Sequence, residues 1–480
     1  MPKGKKAMLG HKIRRLRRQQ DLTQAETAER LGISPSYLNL LENNQRQVTV
    51  DLLLRIGQAF DVDLQSFAED EGARLVGGLA EVFGDPLFAE SDVKRQDIAD
   101  LANAIPSAAQ AVIGLYKAYR ETRDSLQLLG EPAAERGDGP PASGAPGSAL
   151  DEVRDFFHAQ GNYFPALEDV AAEIWQRGEL EQGALQQGLA DYLDNELTVR
   201  VKVMPVEVMG AIRRRYDRHG RRVLLSEMLT PATRLFQLAV QVGLIQYRSL
   251  LDRLVAEAGF TSEAAALLGR VGLANYLAGA ILMPYEPFYR AATALRYDIE
   301  ILMHRFEASF EQVCHRLTTL QRPGSKGVPF FMIRVDHAGN ISKRYSASRL
   351  HFARFGGACP RWNVHDAFAA PGQILRQVSE MPDGERYFSI ARTVAKEGGG
   401  FRDPGQTFSV ALGCEIAYAA QLVYADGIEL EQSDIAVPIG LHCRLCERAE
   451  CSQRAFPPMQ HRLVVDENVR GATAYGFDAG

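Results

Sequence analysis

Apolar residues recur at helical spacing in two short runs of TQAETAERLGISPSYLNLLENNQR, residues 23–46. In the first, Ala25, Ala28 and Leu31 predict one apolar helix face, with Thr23 capping the start and Glu26 completing a capping box. Gly32 stops that helix, Ser34 caps the next, Pro35 suits its first position, and Leu38 and Leu41 point inward. Residues 90–128 read as helix, with Pro106 opening the second half. Farther on, Thr230 and Pro231 begin a helix whose Leu235, Leu238, Ala239 and Val242 form a stripe. The period then changes. Over LTVRVKVM, alternation puts Leu197, Val199, Val201 and Val203 on one face and Arg200 and Lys202 on the other. IRRRYDRHGRRVLL predicts a hairpin turning at His219-Gly220, and VPFFMIRVDHAGNISKRYSA, from 328, predicts strand–turn–strand.

Composition adds boundaries. The stretch EPAAERGDGPPASGAPGSA (131–149) is rich in Pro, Gly, Ala and Ser and predicts a flexible linker. With 480 residues, 46% hydrophobic and 24% charged, the chain has material for several globular cores. Neither an apolar run of about 18 residues nor a signal-peptide core is evident, so the expected location is cytoplasmic, away from membranes. The net charge of −6 conceals a basic arm, since no acidic residue precedes Asp21. Such an arm suits a polyanion.

Two short helices joined by a glycine turn make a helix-turn-helix. Its second helix would present Ser34, Ser36, Tyr37 and Asn39 to base edges of double-stranded DNA, while Gln24, Asn43 and Arg46 suit phosphates. Roughly residues 9–68 resemble the DNA-binding domain of phage-repressor-like regulators. That resemblance implies binding as a homodimer or higher oligomer, for which the helices at 90–128 offer an element.

TPATRLFQLAVQVGLIQY (230–247) and LANYLAGAILMPYEPF (273–288) resemble the scaffold of zinc-metallopeptidase-like regulators. By position the first metal His falls on Val240, the general-base Glu on Gln241, the second His on Leu244 and the third ligand on Leu273. None can bind zinc or act as the base, so the chain is not expected to be an enzyme. A retired site still offers a concavity. Beside it the hairpin carries Arg213, Arg214, Arg215, Arg218, Arg221 and Arg222. Arg200, Arg221 and Arg222 suit the phosphates of coenzyme A, whose adenine could stack on Tyr276. The same hairpin reads equally as a solvated charged turn or a second DNA contact.

Three of the six cysteines crowd into LHCRLCERAECSQRAFP as Cys443, Cys446 and Cys451. In a thiol-poor chain this spacing suits zinc or an iron–sulfur cluster, either of which takes four ligands. Cys359, followed by Pro360 in a glycine-rich loop, is the preferred fourth, with Cys414 in reserve; Cys314 reads as a buried thiol. Together with GGACPRWNVHDAF and VALGCEIAYAAQLVYADG, these features resemble the short-chain fatty-acyl-CoA regulators, including propionate-utilisation regulators. The resemblance implies a transcription factor that senses short-chain acyl-CoA, with a four-iron, four-sulfur cluster on the C-terminal cysteines. A redox-responsive regulator that ignores acyl-CoA is the alternative. The expected fold is multidomain: an all-α helix-turn-helix domain at 1–70, a helical connector at 71–130 and the linker at 131–149. An α+β metallopeptidase-like domain at 150–322 and an α/β sensory domain at 323–480 complete it.

Overall fold

The computed structural model describes residues 13–14, 16–17, 22–42, 46, 48–60, 71–88, 91, 93–130, 146–348, 350, 359–396, 405–432, 434–440, 443–446, 448, 450–458, 463–465, 468 and 476–477. They divide into two compact units, Met1–Val82 with Ser91–Gly114, and Phe83–Glu90 with Leu115–Gly480.

In the first unit, α1 (Gln24–Leu31), α2 (Pro35–Glu42) and α3 (Val50–Phe60) close around Ile13, Ala28, Leu31, Leu38, Leu41 and Ile56. The expected capping box at Thr23 and Glu26 is formed, and Gly32 ends α1 at φ 64, a left-handed conformation that glycine adopts without a Cβ clash. One expectation shifts: Ala25 is exposed, and Thr27, one turn before Leu31, turns inward with Ala28. Beyond lie α4 (Glu71–Phe83), α5 (Arg95–Ala104) and α6 (Pro106–Gly130), so Pro106 does begin a second helix.

In the second unit, α6 from Leu115 onward is followed by α7 (Pro146–Ala159), which starts inside the stretch expected as linker; 131–145 lie outside the described residues. Then follow α8 (Pro165–Arg177) and α9 (Leu185–Asn195). A small sheet has the order β1-β3-β2, from β1 (Arg200–Met204), β2 (Arg214–Asp217) and β3 (Arg222–Ser226). The hairpin forms as expected, and β1 adds parallel to β3. Val203 is exposed, since β1 is an edge strand. Helices α10 (Pro231–Gln246), α11 (Arg248–Ala258), α12 (Glu263–Leu282), α13 (Tyr285–Ala294), α14 (Ile299–Arg305) and α15 (Phe310–Thr318) build the body. By length and composition α12 could cross a membrane, but 56% of its most apolar window is buried in this core.

The next strands are β4 (Phe331–Val335), β5 (Ile341–Ser346), β6 (Leu375–Glu380), β7 (Arg386–Lys396), β8 (Gln406–Glu415) and β9 (Val437–Pro438), before a short antiparallel pair, Leu463–Val464 with Gly476–Phe477. The sheet order of β4 to β9 is β5-β4-β8-β7-β6-β9. This corrects the expected α/β class: every pairing is antiparallel except the short β6–β9 contact. Tight turns at Asp336–Asn340 and Met381–Glu385 join β4 to β5 and β6 to β7 directly, as antiparallel neighbours allow. One sheet face, with Met332, Phe388, Ile390, Val410, Leu412 and Cys414, shares a single core with the helical body. The opposite face, with Phe331, Ile333, Tyr387 and Ala411, packs against Cys359, Trp362 and Val364.

Candidate functional site

On α2, Ser36 and Asn39 are exposed on the side away from Leu38 and Leu41, which anchor the helix to the core, and Ser34, just before the helix, is exposed as well. Ser34 accepts from the Tyr37 backbone N–H at 3.2 Å, and the Tyr37 ring packs partly on the core. Arg46 is exposed, and Asn43 lies outside the described residues. Gln24 is turned inward, where its amide donates to Glu42 Oε2 at 2.9 Å. Arg17 donates to both oxygens of the same carboxylate, at 2.7 and 3.2 Å. Burial alone would raise the Glu42 pKa, but Arg17, Gln24 and Arg14 draw it below the ordinary value. This buried charge fixes α1 against α2, so Gln24 positions the helices rather than reaching outward.

The structure brings Arg200, Arg221 and Arg222 together at one end of the small sheet, where Arg200 stands opposite Arg222. Two of them are engaged internally. The Arg221 guanidinium donates to the carbonyls of Leu197 and Thr198, and Arg222 pairs with Asp217 at 2.8 Å. Thr198 and Arg221 both hold positive φ, 54° and 46°, so Arg221 staples a strained turn to the hairpin. Tyr276 belongs elsewhere, which corrects the adenine-stacking expectation. It is only 2% exposed, its hydroxyl donates to Glu168 at 2.6 Å, and it accepts from the Phe164 N–H. Burial above all lifts its pKa far beyond the ordinary range.

At the former metal positions, Val240, Gln241 and Leu273 are buried, and Gly243 lets α12 approach so closely that an added Cβ would stand 3.1 Å from Leu277. Core side chains therefore occupy the concavity expected there.

The cysteine segment has a defined frame. Arg454 donates to the carbonyls of Cys443 and Cys446, each at 2.9 Å, and to those of Arg448 and Phe456. Arg448 ties the loop to the sheet through the carbonyls of Ile439 and Glu380. Cys359 lies beside this loop: burial pushes its thiol up, N–H groups of Gly440 and Arg361 pull it back, and Cys443 and Cys446 add to the rise. Gly440 makes room for Cys446, whose Sγ would stand 2.8 Å from a Cβ there. Cys414 is buried on the opposite sheet face, and Cys314 is fully enclosed. Among the described residues no three His, Cys, Asp or Glu side chains form a closed metal site.

Residues 319–475 match the family described as short-chain fatty acyl coenzyme A regulator, C-terminal. Residues 194–318 match the IrrE N-terminal-like domain, and residues 13–67 a helix-turn-helix. The HTH-type transcriptional regulator PrpR of Mycobacterium tuberculosis is 41% identical over 466 residues, 97% of this chain and 95% of that protein. The chain belongs to the short-chain fatty acyl coenzyme A regulator family. A propionyl-CoA carboxylase regulator of Cereibacter sphaeroides is 43% identical over 471 residues, 98% of each chain. The solved structure of a Mycobacterium tuberculosis transcriptional regulator superposes with a TM-score of 0.66 at 44% identity, covering 68% of this chain and 99% of that one.

Members of the short-chain fatty acyl coenzyme A regulator family named above are transcriptional regulators, not enzymes, and the peptidase-like part of this one is a degenerate fold. Sequence reading missed the groups that hold this regulator's body together. Glu168 and Arg316 form a buried pair across 148 positions, and Arg316 also donates to the Met283 carbonyl at 2.9 Å. No local spacing could reveal either partner.

Proposed function

We propose that this chain binds double-stranded DNA as a homodimer or higher oligomer and that short-chain acyl-CoA sets its DNA affinity, placing genes of propionate- or acetate-type metabolism under its control. The observation that carries the reading is the exposure of Ser36 and Asn39 on α2, with Ser34 exposed at its cap, in a chain related over 98% of its length to a propionyl-CoA carboxylase regulator. An effector shifts DNA affinity only through preference for one of two conformations. The core shared by the helical body and the C-terminal sheet is a route by which a ligand could favour one packing over another. Calorimetric titration with propionyl-CoA, free CoA and propionate tests effector binding. The reading expects propionyl-CoA to bind at least ten-fold more tightly than propionate; equal or absent binding opposes it.

The second reading, an iron–sulfur redox-responsive regulator, draws on the cysteine segment. Its donors are of the type a thiolate-held group takes: Cys359 stands near Cys443 and Cys446, and Gly440 makes room for the Cys446 thiol, while the described side chains do not form a closed site as they stand. Cys359, Cys443, Cys446 and Cys451 would be the ligands, with zinc as the alternative occupant. Such a cluster would supply one-electron chemistry or a structural cross-link, while Arg448 and Arg454 hold the loop by its carbonyls. Iron, zinc and acid-labile sulfide content of protein purified without oxygen tests this. Equal iron and sulfide support it; zinc alone opposes it.

A further inference from the structure

A second group of cations lies where α15 meets the C-terminal sheet. Glu311 Oε1 receives both Arg334 Nη1 at 2.7 Å and Lys343 Nζ at 2.8 Å. The Phe408 ring carries the Arg334 guanidinium 4.5 Å from its centre and the Lys396 ammonium at 5.0 Å. Arg213, at the root of the arginine hairpin, adds a fourth positive charge near Lys396. Among the described residues neither Lys396 nor Arg213 has a carboxylate partner, so four cations share one acid.

The electrostatics agree with that imbalance. Burial alone would raise the Glu311 carboxyl, yet Lys343, Arg334 and Lys396 hold it down at about 2. Burial lowers Lys396 most, Glu311 pulls it back, and Arg334, Lys343 and Arg213 press it down again, to about 8. A purely structural ion cluster tends to balance its charge, because each unpaired buried cation costs free energy. Here Arg334, only 8% exposed, is paired with Glu311 and donates from Nε to Ser342 at 2.9 Å, while Lys396 and Lys343 are half-buried and Arg213 is exposed, so the charge without a partner of its own is open to an anion. Arginine and lysine on several elements suit more than one phosphate group.

We infer that Arg213, Lys343 and Lys396, beside the Arg334–Glu311 pair, bind the phosphate groups of a small phosphate-bearing ligand, namely the diphosphate of the acyl-CoA effector, an assignment that rests on the acyl-CoA reading above. It moves effector phosphates from Arg221 and Arg222 to a group in which Lys396 and Arg213 have no carboxylate partner of their own, keeping only Arg213 of the hairpin. The acyl chain is left to a neighbouring part of the body.

The test titrates the full-length protein with inorganic pyrophosphate and with propionyl-CoA at fixed ionic strength. Wild type is compared with Lys396→Met, with the pair Lys343→Gln and Lys396→Met, and with Arg222→Ala. The site predicts that the paired variant weakens both ligands at least ten-fold, that Lys396→Met alone weakens them several-fold, and that Arg222→Ala changes neither. Should the paired variant melt early, Lys396→Met carries the comparison; ¹³C-methylation of wild-type lysines adds a reading, in which the Lys396 resonance moves on pyrophosphate addition. Unchanged affinities in both lysine variants, or no binding by wild type, overturn the site. Loss of pyrophosphate binding with acyl-CoA unaffected overturns its assignment to the effector. If wild type binds pyrophosphate through Lys396 yet ignores acyl-CoA, the anion site stands and the acyl-CoA reading falls.

Discussion

Glu168 and Arg316 face each other inside the helical body as a two-pronged ion pair, Nη1 to Oε1 at 2.7 Å and Nη2 to Oε2 at 2.9 Å. The pair joins α8 to α15, and Tyr276 adds α12 through its hydroxyl. Arg316 also caps the Met283 carbonyl at the end of α12, just before Pro284. A buried pair of this kind is costly to break, because the surviving charge has no water to turn to. Glu168→Ala should lower stability by about 3–5 kcal/mol, read as the urea midpoint at neutral pH. Replacing both partners, Glu168→Leu with Arg316→Met, should recover most of that loss. A double variant as weak as the single one would show that the helices need the charges themselves.

The DNA-binding unit was legible in sequence because its signals are local. Thr23, Glu26, Gly32, Ser34 and Pro35 act within one or two turns, and all adopt the caps and turns expected of them. The second unit was legible only in outline. Tyr276 read as a possible adenine platform because its partner Glu168 lies 108 positions away. Arg221 and Arg222 read as free donors because the carbonyls and carboxylate that receive them become neighbours only when β1 pairs with β3. The C-terminal sheet was taken for α/β because a pattern of strands does not state which strands pair.

The recognition helix makes a separate prediction. Ser36→Ala and Asn39→Ala should each reduce affinity for a specific operator by about 1–3 kcal/mol while leaving nonspecific binding nearly unchanged. Arg46→Ala should instead weaken all sequences alike and lower the slope of log affinity against log salt by about 1. Gel-shift titrations at three salt concentrations separate the two effects. Equal losses on specific and random DNA from Asn39→Ala would remove it from base reading.

Acid sensitivity should trace partly to His315. It is half-buried against Tyr345, ring centres 4.3 Å apart, and desolvation above all lowers its pKa from 6.5 to about 3. Between those values the unfolded chain takes up a proton that the folded chain refuses, so stability falls as pH drops through this window. Glu311 acts lower: with its folded pKa near 2 against 4.5, its contribution is complete above 4.5 and lost below. His315→Phe should therefore flatten the decline in urea midpoint between pH 6.5 and 4.5. Parallel curves for wild type and variant would exclude His315 as the cause.

Gly440 offers a probe of the cysteine loop that spares every thiol. Gly440→Ala would place its Cβ 2.8 Å from Cys446 Sγ and force that sulfur aside. Iron and sulfide retained after anaerobic purification should fall by at least half, with the far-ultraviolet dichroism unchanged. Full retention would mean that Cys446 is not among the ligands.

The central claim, that acyl-CoA sets DNA affinity, is tested most directly by fluorescence anisotropy with labelled DNA from the gene's own upstream region. The titration is run with anaerobically purified protein, alone and with saturating propionyl-CoA or free CoA. The account predicts that propionyl-CoA changes the DNA dissociation constant by five-fold or more, in either direction, and that free CoA changes it less. An identical dissociation constant under all three conditions, from protein that binds the DNA specifically, would contradict it.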